Sequence, residues 1–284
     1  MRRVLVPTDF SDNALNAINY ALEFFKYEIC VFYFMHAYQD DIYTNEALLT
    51  RKTLEKATNL VSKKSKKQLE DVLKIVKEKH PNPRFTYRTI SSNNVLVDEA
   101  DKIVDNENID IIVMGTQGKT DNRKLTFGSH TLQVLKYVEC PVLAIPRNYK
   151  YTQPKHVLFP TNYLIPYKRR ELKLLCEMLA PFRARVDMLY VAKSDKLSMR
   201  QEDNKAFIEE TLYKNDTHFY TVNKKHVSEA INDCIAEYKI DMLVMVNTRH
   251  SHLENILYQS SIDKISLNVG IPFLALQNIK RDNF

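Results

Sequence analysis

The sequence predicts two tandem α/β domains, each a doubly wound, five-stranded parallel sheet in the order 3-2-1-4-5. Three observations predict this. Short β-branched and apolar runs alternate with amphipathic helical stretches, the pattern of parallel strands covered by helices on both faces. The second half of the chain repeats the first at three strands. The length of 284 residues suits two domains of roughly 150 residues each.

In the first half, Arg3-Val4-Leu5-Val6-Pro7 reads as a buried strand. A helix follows over 11–26, with Ala14, Ile18, Ala21, Leu22 and Phe25 at helical spacing and Ser11 as its N-cap. Residues 28–36 form the second strand. A long helix spans 45–79, its stripe made of Leu54, Ala57, Val61, Leu69, Val72 and Val76, and His80-Pro81-Asn82-Pro83 stops it. The third strand is 84–90 and the third helix 94–105. The fourth strand is 109–114, a helix follows over 129–138, and 141–145 is the fifth strand. Crossovers between such strands are right-handed.

The second half carries the same order. Val4-Leu5-Val6-Pro7-Thr8-Asp9 aligns with Val157-Leu158-Phe159-Pro160-Thr161-Asn162. Ile109-Asp110 and Val113-Met114 align with Ile240-Asp241 and Val244-Met245, and at the same offset Pro141-Val142-Leu143-Ala144 aligns with Pro272-Phe273-Leu274-Ala275. The linker is 147–155, and the domains are expected at 1–149 and 150–284.

Composition excludes several classes. A hydrophobic fraction of 44% and a charged fraction of 27% are those of a globular chain rather than a disordered one. No apolar run reaches the length of a transmembrane helix, and the N-terminal run is too short for a signal-peptide core, so a cytoplasmic location is expected. Cys30, Cys140, Cys176 and Cys234 are scattered, which predicts buried, reduced thiols rather than a disulfide framework or zinc site. The net charge of +6 is spread among interleaved acids and bases, so no nucleic-acid surface is expected. Lys63-Lys64-Ser65-Lys66-Lys67 reads as a solvated helix face, with an anionic-partner patch as the minority reading. His250 and His252 lack a nearby third ligand and read as loop residues, and His36 as a packed histidine.

Glycine is scarce, only 4 in the chain, yet Gly115, Gly118 and Gly128 fall within one window of 14 residues. Glycine permits positive φ and close backbone approach to a ligand. In a doubly wound sheet ligands bind beyond the carboxyl ends of the strands, at the switch point between sheet halves. Asp9 lies just past strand one and Gly115 just past strand four, so both are expected at that crevice. Gly128-Ser129 opens a helix, whose first N–H groups and dipole favour phosphate. Lys119, Arg123 and Lys124 add positive charge. The residues alone leave two readings open, a phosphate-bearing ligand and plain turn glycines. The segment is neither a Walker A loop nor the dinucleotide G-x-G-x-x-G. Asp9 likewise reads either as a binding group or as an acid favoured by a helix N-terminus.

Val4-Leu5-Val6-Pro7-Thr8-Asp9-Phe10-Ser11, Phe34-Met35-His36-Ala37, the G-x2-G-x9-G-S segment and Cys140-Pro141-Val142-Leu143-Ala144-Ile145 together resemble the universal stress protein family over the first half. The second half resembles it more weakly, so the chain looks like a tandem member. The resemblance implies an adenine nucleotide alpha hydrolase-like fold and binding of ATP, or ADP or AMP, with or without Mg²⁺. It places Pro7, Thr8 and Asp9 on the adenosine side, Ala37 at the adenine edge, and Met114 and Gly115 near the ribose. Gly118, Gly128, Ser129, His130 and Thr131 would hold phosphates, beside Lys119. His130 departs from the small apolar residue the family leads one to expect, and it either touches phosphate or caps the helix. The resemblance also implies a stress-response regulatory role, a domain pair within the chain through the fifth strands, and further homodimerisation.

No catalytic motif is evident, since Asp9 is the only base near the phosphates and it faces the nucleoside on this reading. The alternatives are a slow ATP hydrolase and an interaction module that binds no nucleotide. One site per chain is expected. The repeat puts Val246 opposite Gly115, Arg249 opposite Gly118, Gln259 opposite Gly128 and Asn162 opposite Asp9; only Ser260 matches, opposite Ser129.

Overall fold

Continuous apolar strands need cover on both faces, and the chain supplies it twice. The computed structural model describes residues 1–43, 51–118, 127–165, 167–192, 196–247 and 270–278, with the side chains of 51–53 excepted. The chain divides into two compact units, Met1–Tyr151 and Thr152–Phe284.

The first unit runs β1 (Arg2–Pro7), α1 (Asp12–Phe24), β2 (Cys30–Ala37), α2 (Gln39–Tyr43), α3 (Arg51–Lys79), β3 (Phe85–Ser92), α4 (Leu96–Asn106), β4 (Ile111–Gly115), α5 (Ser129–Tyr137) and β5 (Val142–Ile145). Its strands lie in the order β3-β2-β1-β4-β5 and every described pair is parallel. Val4, Leu5 and Val6 of the central strand are wholly buried, as a sheet covered on both faces requires. Ser11 caps α1, its hydroxyl accepting from Ala14 N at 3.2 Å, and Ala14, Ala17, Ile18, Ala21, Leu22 and Phe25 turn inward. Phe32 and Phe34 of β2 pack beside Tyr87 of β3 at 6.0 and 5.9 Å between ring centroids.

The second unit runs β6 (His156–Pro160), α6 (Arg169–Leu179), β7 (Arg185–Val191), α7 (Met199–Thr211), β8 (Asp216–Val222), α8 (Val227–Glu237), β9 (Met242–Asn247) and β10 (Phe273–Gln277). Its order, β10-β9-β6-β7-β8, is that of the first unit. The two units share detail as well as order. Arg3 N donates to Asp110 Oδ2 at 2.9 Å, and His156 N donates to Asp241 Oδ2 at 2.9 Å. Thr8 N bonds to Met35 O at 2.8 Å, and Thr161 N to Leu189 O at 2.9 Å. Leu5 pairs with Ile112 and Leu158 with Leu243, which sets Val246 opposite Gly115 in the repeat.

The differences from expectation are local. The short helix α2 has no counterpart in the sequence reading, because five residues carry no periodicity; Asp40 and Asp41 in its first turn suit the helix dipole. The expected helix of 45–79 is described only from Arg51, and its stripe continues through Ser65, a polar residue buried between Val61 and Leu69. Lys63, Lys64, Lys66 and Lys67 are exposed, as expected of a solvated face. The first residues of the expected linker pack on the first unit: Asn16 Nδ2 donates to Tyr149 O at 3.1 Å, and Tyr151 lies edge-on to Tyr20 at 5.2 Å. Among the described residues no helix is long and apolar enough to cross a membrane.

All four cysteines are free and buried. Burial, reinforced by the Glu28 carboxylate, pushes the Cys30 thiol up to about 12, and burial likewise raises Cys234. A thiol held protonated and out of solvent is a poor nucleophile. Labelling of the folded protein at neutral pH with a thiol-specific disulfide reagent should therefore be slow at all four positions, and denaturant should release all of them. Rapid reaction of any one in the folded state would contradict this burial.

Candidate functional site

The carboxyl ends of β1 and β4 lie side by side because the two strands pair directly, Val4 with Ile111 and Leu5 with Ile112. The chain reverses after β1 through a turn closed by its own side chains. The Thr8 hydroxyl accepts from Phe10 N at 3.0 Å, the Asp9 Oδ1 accepts from Ser11 N at 3.0 Å, and Phe10 takes a left-handed φ of 62°. Such Asx and Ser/Thr turns hold the backbone without a glycine. Pro7 and Thr8 are buried, while Asp9 is half-buried at the edge.

The segment after β4 reaches back onto this turn. A Cβ at Gly118 would stand 3.0 Å from Asp9 Oδ2, so the Gly118 backbone lies directly against the Asp9 carboxylate. A Cβ at Gly115 would stand 2.5 Å from Asn13 Nδ2 and 2.9 Å from Asn13 Cγ. Asn13 is buried in the first turn of α1 and donates through Nδ2 to the Gln117 carbonyl; its Oδ1 has no partner among the described residues. The glycines thus act by close approach. None has a positive φ. A Cβ at Gly128 would meet only ordinary contacts, the nearest Gln117 Cα at 3.5 Å.

Helix α5 is tied to the same place. Gly128 is its N-cap, and Gly128 N donates to Thr116 O at 2.8 Å. The buried Thr131 hydroxyl donates to Gly115 O at 2.9 Å, so this side chain anchors α5 to the end of β4. Ser129 and His130 are exposed. The N–H groups of a helix's first turn have no intrahelical acceptor, and here they lie beside the Gly118–Asp9 contact. His130 neither caps α5 nor stands alone: its Nε2 is 3.2 Å from Asp40 Oδ2 of α2.

The neighbouring strand supplies the third side. Ala37, half-buried, ends β2 in register with Ser92. His36 beside it is the packed histidine expected: its Nδ1 sits 2.9 Å from Ser65 Oγ, which lies 2.7 Å from Ser91 Oγ, and the Phe10 ring packs on it at 4.6 Å. Buried Met114 precedes Gly115, the last residue of β4. The structure therefore brings together Pro7, Thr8, Asp9, Met114, Gly115, Gly118, Gly128, Ser129, His130 and Thr131, with Ala37 on the adjacent strand. Lys119, Arg123 and Lys124 lie outside the described residues, as do Arg249, His250, His252, Gln259 and Ser260. Sequence reasoning missed Asn13 and Asp40. Asn13 carried a faint signal, a polar residue on the inward face of α1; Asp40 carried none.

The corresponding place in the second unit is built differently. Asn162 Oδ1 accepts from Leu164 N at 2.9 Å and Tyr163 takes a φ of 57°, so the turn is kept with an amide in place of the carboxylate. Helix α7 then seals the turn's carbonyls: Gln201 Nε2 donates to Asn162 O at 2.9 Å and Asn204 Nδ2 to Tyr163 O at 2.6 Å. Val246, buried, stands where the first unit has Gly115.

The Gly115–Asn13 contact yields a stability test. Gly115→Ala should destabilise the first unit by about 1–3 kcal/mol through overpacking. Because the nearest atoms are those of the Asn13 side chain, Asn13→Ala in that background should recover part of the loss. Denaturant melts of both single variants and the double variant measure this, and strictly additive losses would contradict the contact.

Comparison with known proteins agrees with this architecture. A profile of the universal stress protein family matches residues 1–146. Universal stress protein MJ0577 of Methanocaldococcus jannaschii is 25% identical over 154 residues, covering 51% of this chain and 95% of that protein. Universal stress protein MJ0531 of the same organism is 28% identical over 149 residues, covering 51% and 82%. The crystal structure of a universal stress protein from Archaeoglobus fulgidus superposes with a TM-score of 0.64 at 16% identity, covering 97% of this chain and 96% of that one, and so shares its fold. With its family match lying on the unit whose strand ends, glycines and α5 N-terminus converge, the chain belongs to the universal stress protein family.

Proposed function

We propose that the first unit binds ATP or another adenine nucleotide, and that the protein acts as a cytosolic stress-response regulator whose shape or partners change with the bound nucleotide. One observation carries the reading. The Gly118 backbone lies against the Asp9 carboxylate beside the first turn of α5, at the carboxyl edge of adjacent central strands. Such an edge is where doubly wound sheets take ligands. The orphaned Asn13 Oδ1 next to it adds a polar group in want of a partner.

On this reading Pro7, Thr8 and Asp9 face the nucleoside, Ala37 offers backbone groups to the adenine edge, and Met114 and Gly115 adjoin the ribose. The amides of Gly118, Ser129, His130 and Thr131 hold phosphates through N–H groups and the helix dipole, Gly128, whose own N–H is taken by Thr116 O, opens the helix beside them, and Lys119 adds charge. The described residues hold no group of three metal-ligating side chains, so Mg²⁺ would enter chiefly on the phosphates, keeping several waters. Four buried cysteines, none of them in a disulfide, suit a reducing compartment.

The second unit supports one site per chain. There Gln201 and Asn204 cover the turn carbonyls, Asn162 carries no charge and Val246 fills the glycine position. Calorimetry with ATP, with and without Mg²⁺, should give a stoichiometry near one. Gly118→Val and Gly128→Val should each weaken binding at least tenfold, about 1.4 kcal/mol. Two equivalent sites, or unchanged affinity in folded glycine variants, would contradict the assignment. Sustained multiple-turnover phosphate release would favour the hydrolase alternative.

A further inference from the structure

A side chain in the first turn of α5 is already paired with a carboxylate of the chain itself. His130 is the second residue of α5, and its Nε2 lies 3.2 Å from Asp40 Oδ2. Asp40 stands in the first turn of α2, three residues after Ala37. Its neighbour Asp41 faces the other way, with Oδ2 3.6 Å from the Nε2 of buried His36 on β2. The two acids of α2 are thus divided between β2 and α5. Because β1 lies between β2 and β4, the Asp40–His130 pair joins the segment after β2 to the helix after β4, across the end of β1.

Those two segments are the adenine and phosphate sides of the proposed site, and the inference rests on that reading. Both members of the pair are about half exposed, at 52% and 53%, and an exposed pair of this kind is held by little free energy. A phosphate arriving at the first turn of α5 offers His130 a stronger, more highly charged acceptor than one carboxylate does. It also meets repulsion from Asp40. Adenosine, which has no phosphate, has neither reason to break the pair nor charge to be repelled.

We propose that Asp40 is an internal competitor for the phosphate side of the site and that His130 passes from Asp40 to a nucleotide phosphate on binding. The pair then sets how strongly the site distinguishes phosphorylated nucleotides from adenosine.

The test is calorimetry on the full chain with adenosine, AMP and ATP, using wild type, Asp40→Asn, His130→Gln and the double variant. The ratio of ATP to adenosine affinity should rise about threefold in Asp40→Asn and fall about threefold in His130→Gln, the scale of an exposed ion pair. In the His130→Gln background the gain from Asp40→Asn should be smaller, because only the relief of repulsion remains and no histidine is left to release. An unchanged ratio in Asp40→Asn would overturn the proposal. So would the same gain in both backgrounds, which would make Asp40 a distant charge and nothing more. A wild type that binds neither adenosine nor ATP would sink the nucleotide reading and this inference with it; a wild type that binds both, with ratios indifferent to Asp40, would sink this inference alone.

Discussion

The approach of the segment after β4 to the turn after β1 is the contact on which the site depends. Two missing Cβ atoms make it. At Gly115 the absence lets buried Asn13 of α1 lie against the end of β4, and at Gly118 it lets the backbone touch the Asp9 carboxylate. The Asn13 amide fixes the loop by donating to Gln117 O, and the Thr131 hydroxyl fixes α5 by donating to Gly115 O. A carboxylate, an exposed backbone segment and a helix N-terminus are thereby held together by packing and short hydrogen bonds. Each is commonplace alone. Their convergence at the edge of two paired strands makes a place suited to an anion with an organic body.

The two units keep one frame and differ where its strands end. Both units retain the aspartate that ties the fourth strand to the first, and both retain the turn closed by a threonine hydroxyl. These features hold strand ends in register. At the edge the two units differ. Asn162 accepts the same turn hydrogen bond as Asp9 but brings no charge, and two side chains of α7 take up the turn's carbonyls.

Much of this was legible in the sequence. Val4-Leu5-Val6 and Val157-Leu158-Phe159 had to be buried strands because so long an apolar run has no solvated face to offer, and both are. The glycine cluster stood out because glycine is otherwise so rare. What the sequence hid depends on long-range partners. Ser65 breaks the apolar stripe of α3, and only the fold reveals His36 and Ser91 waiting for its hydroxyl. What the glycines approach was hidden for a related reason. Their φ values are ordinary, and the need for them arises from Asn13 and Asp9, more than a hundred positions away in the chain. Asp40 faces His130 across 90 residues, and no local pattern marks such a pair.

The central claim is that nucleotide phosphates lie on the first turn of α5 in the first unit and nowhere in the second. Hydrogen exchange of the full chain, with and without saturating ATP, tests this most directly, since it reads the amides themselves. The account predicts slowed exchange at Ser129–Thr131 and in the turn of Thr8–Ser11, with the turn of Thr161–Leu164 unchanged. No protection at α5, or equal protection in both turns, would contradict it.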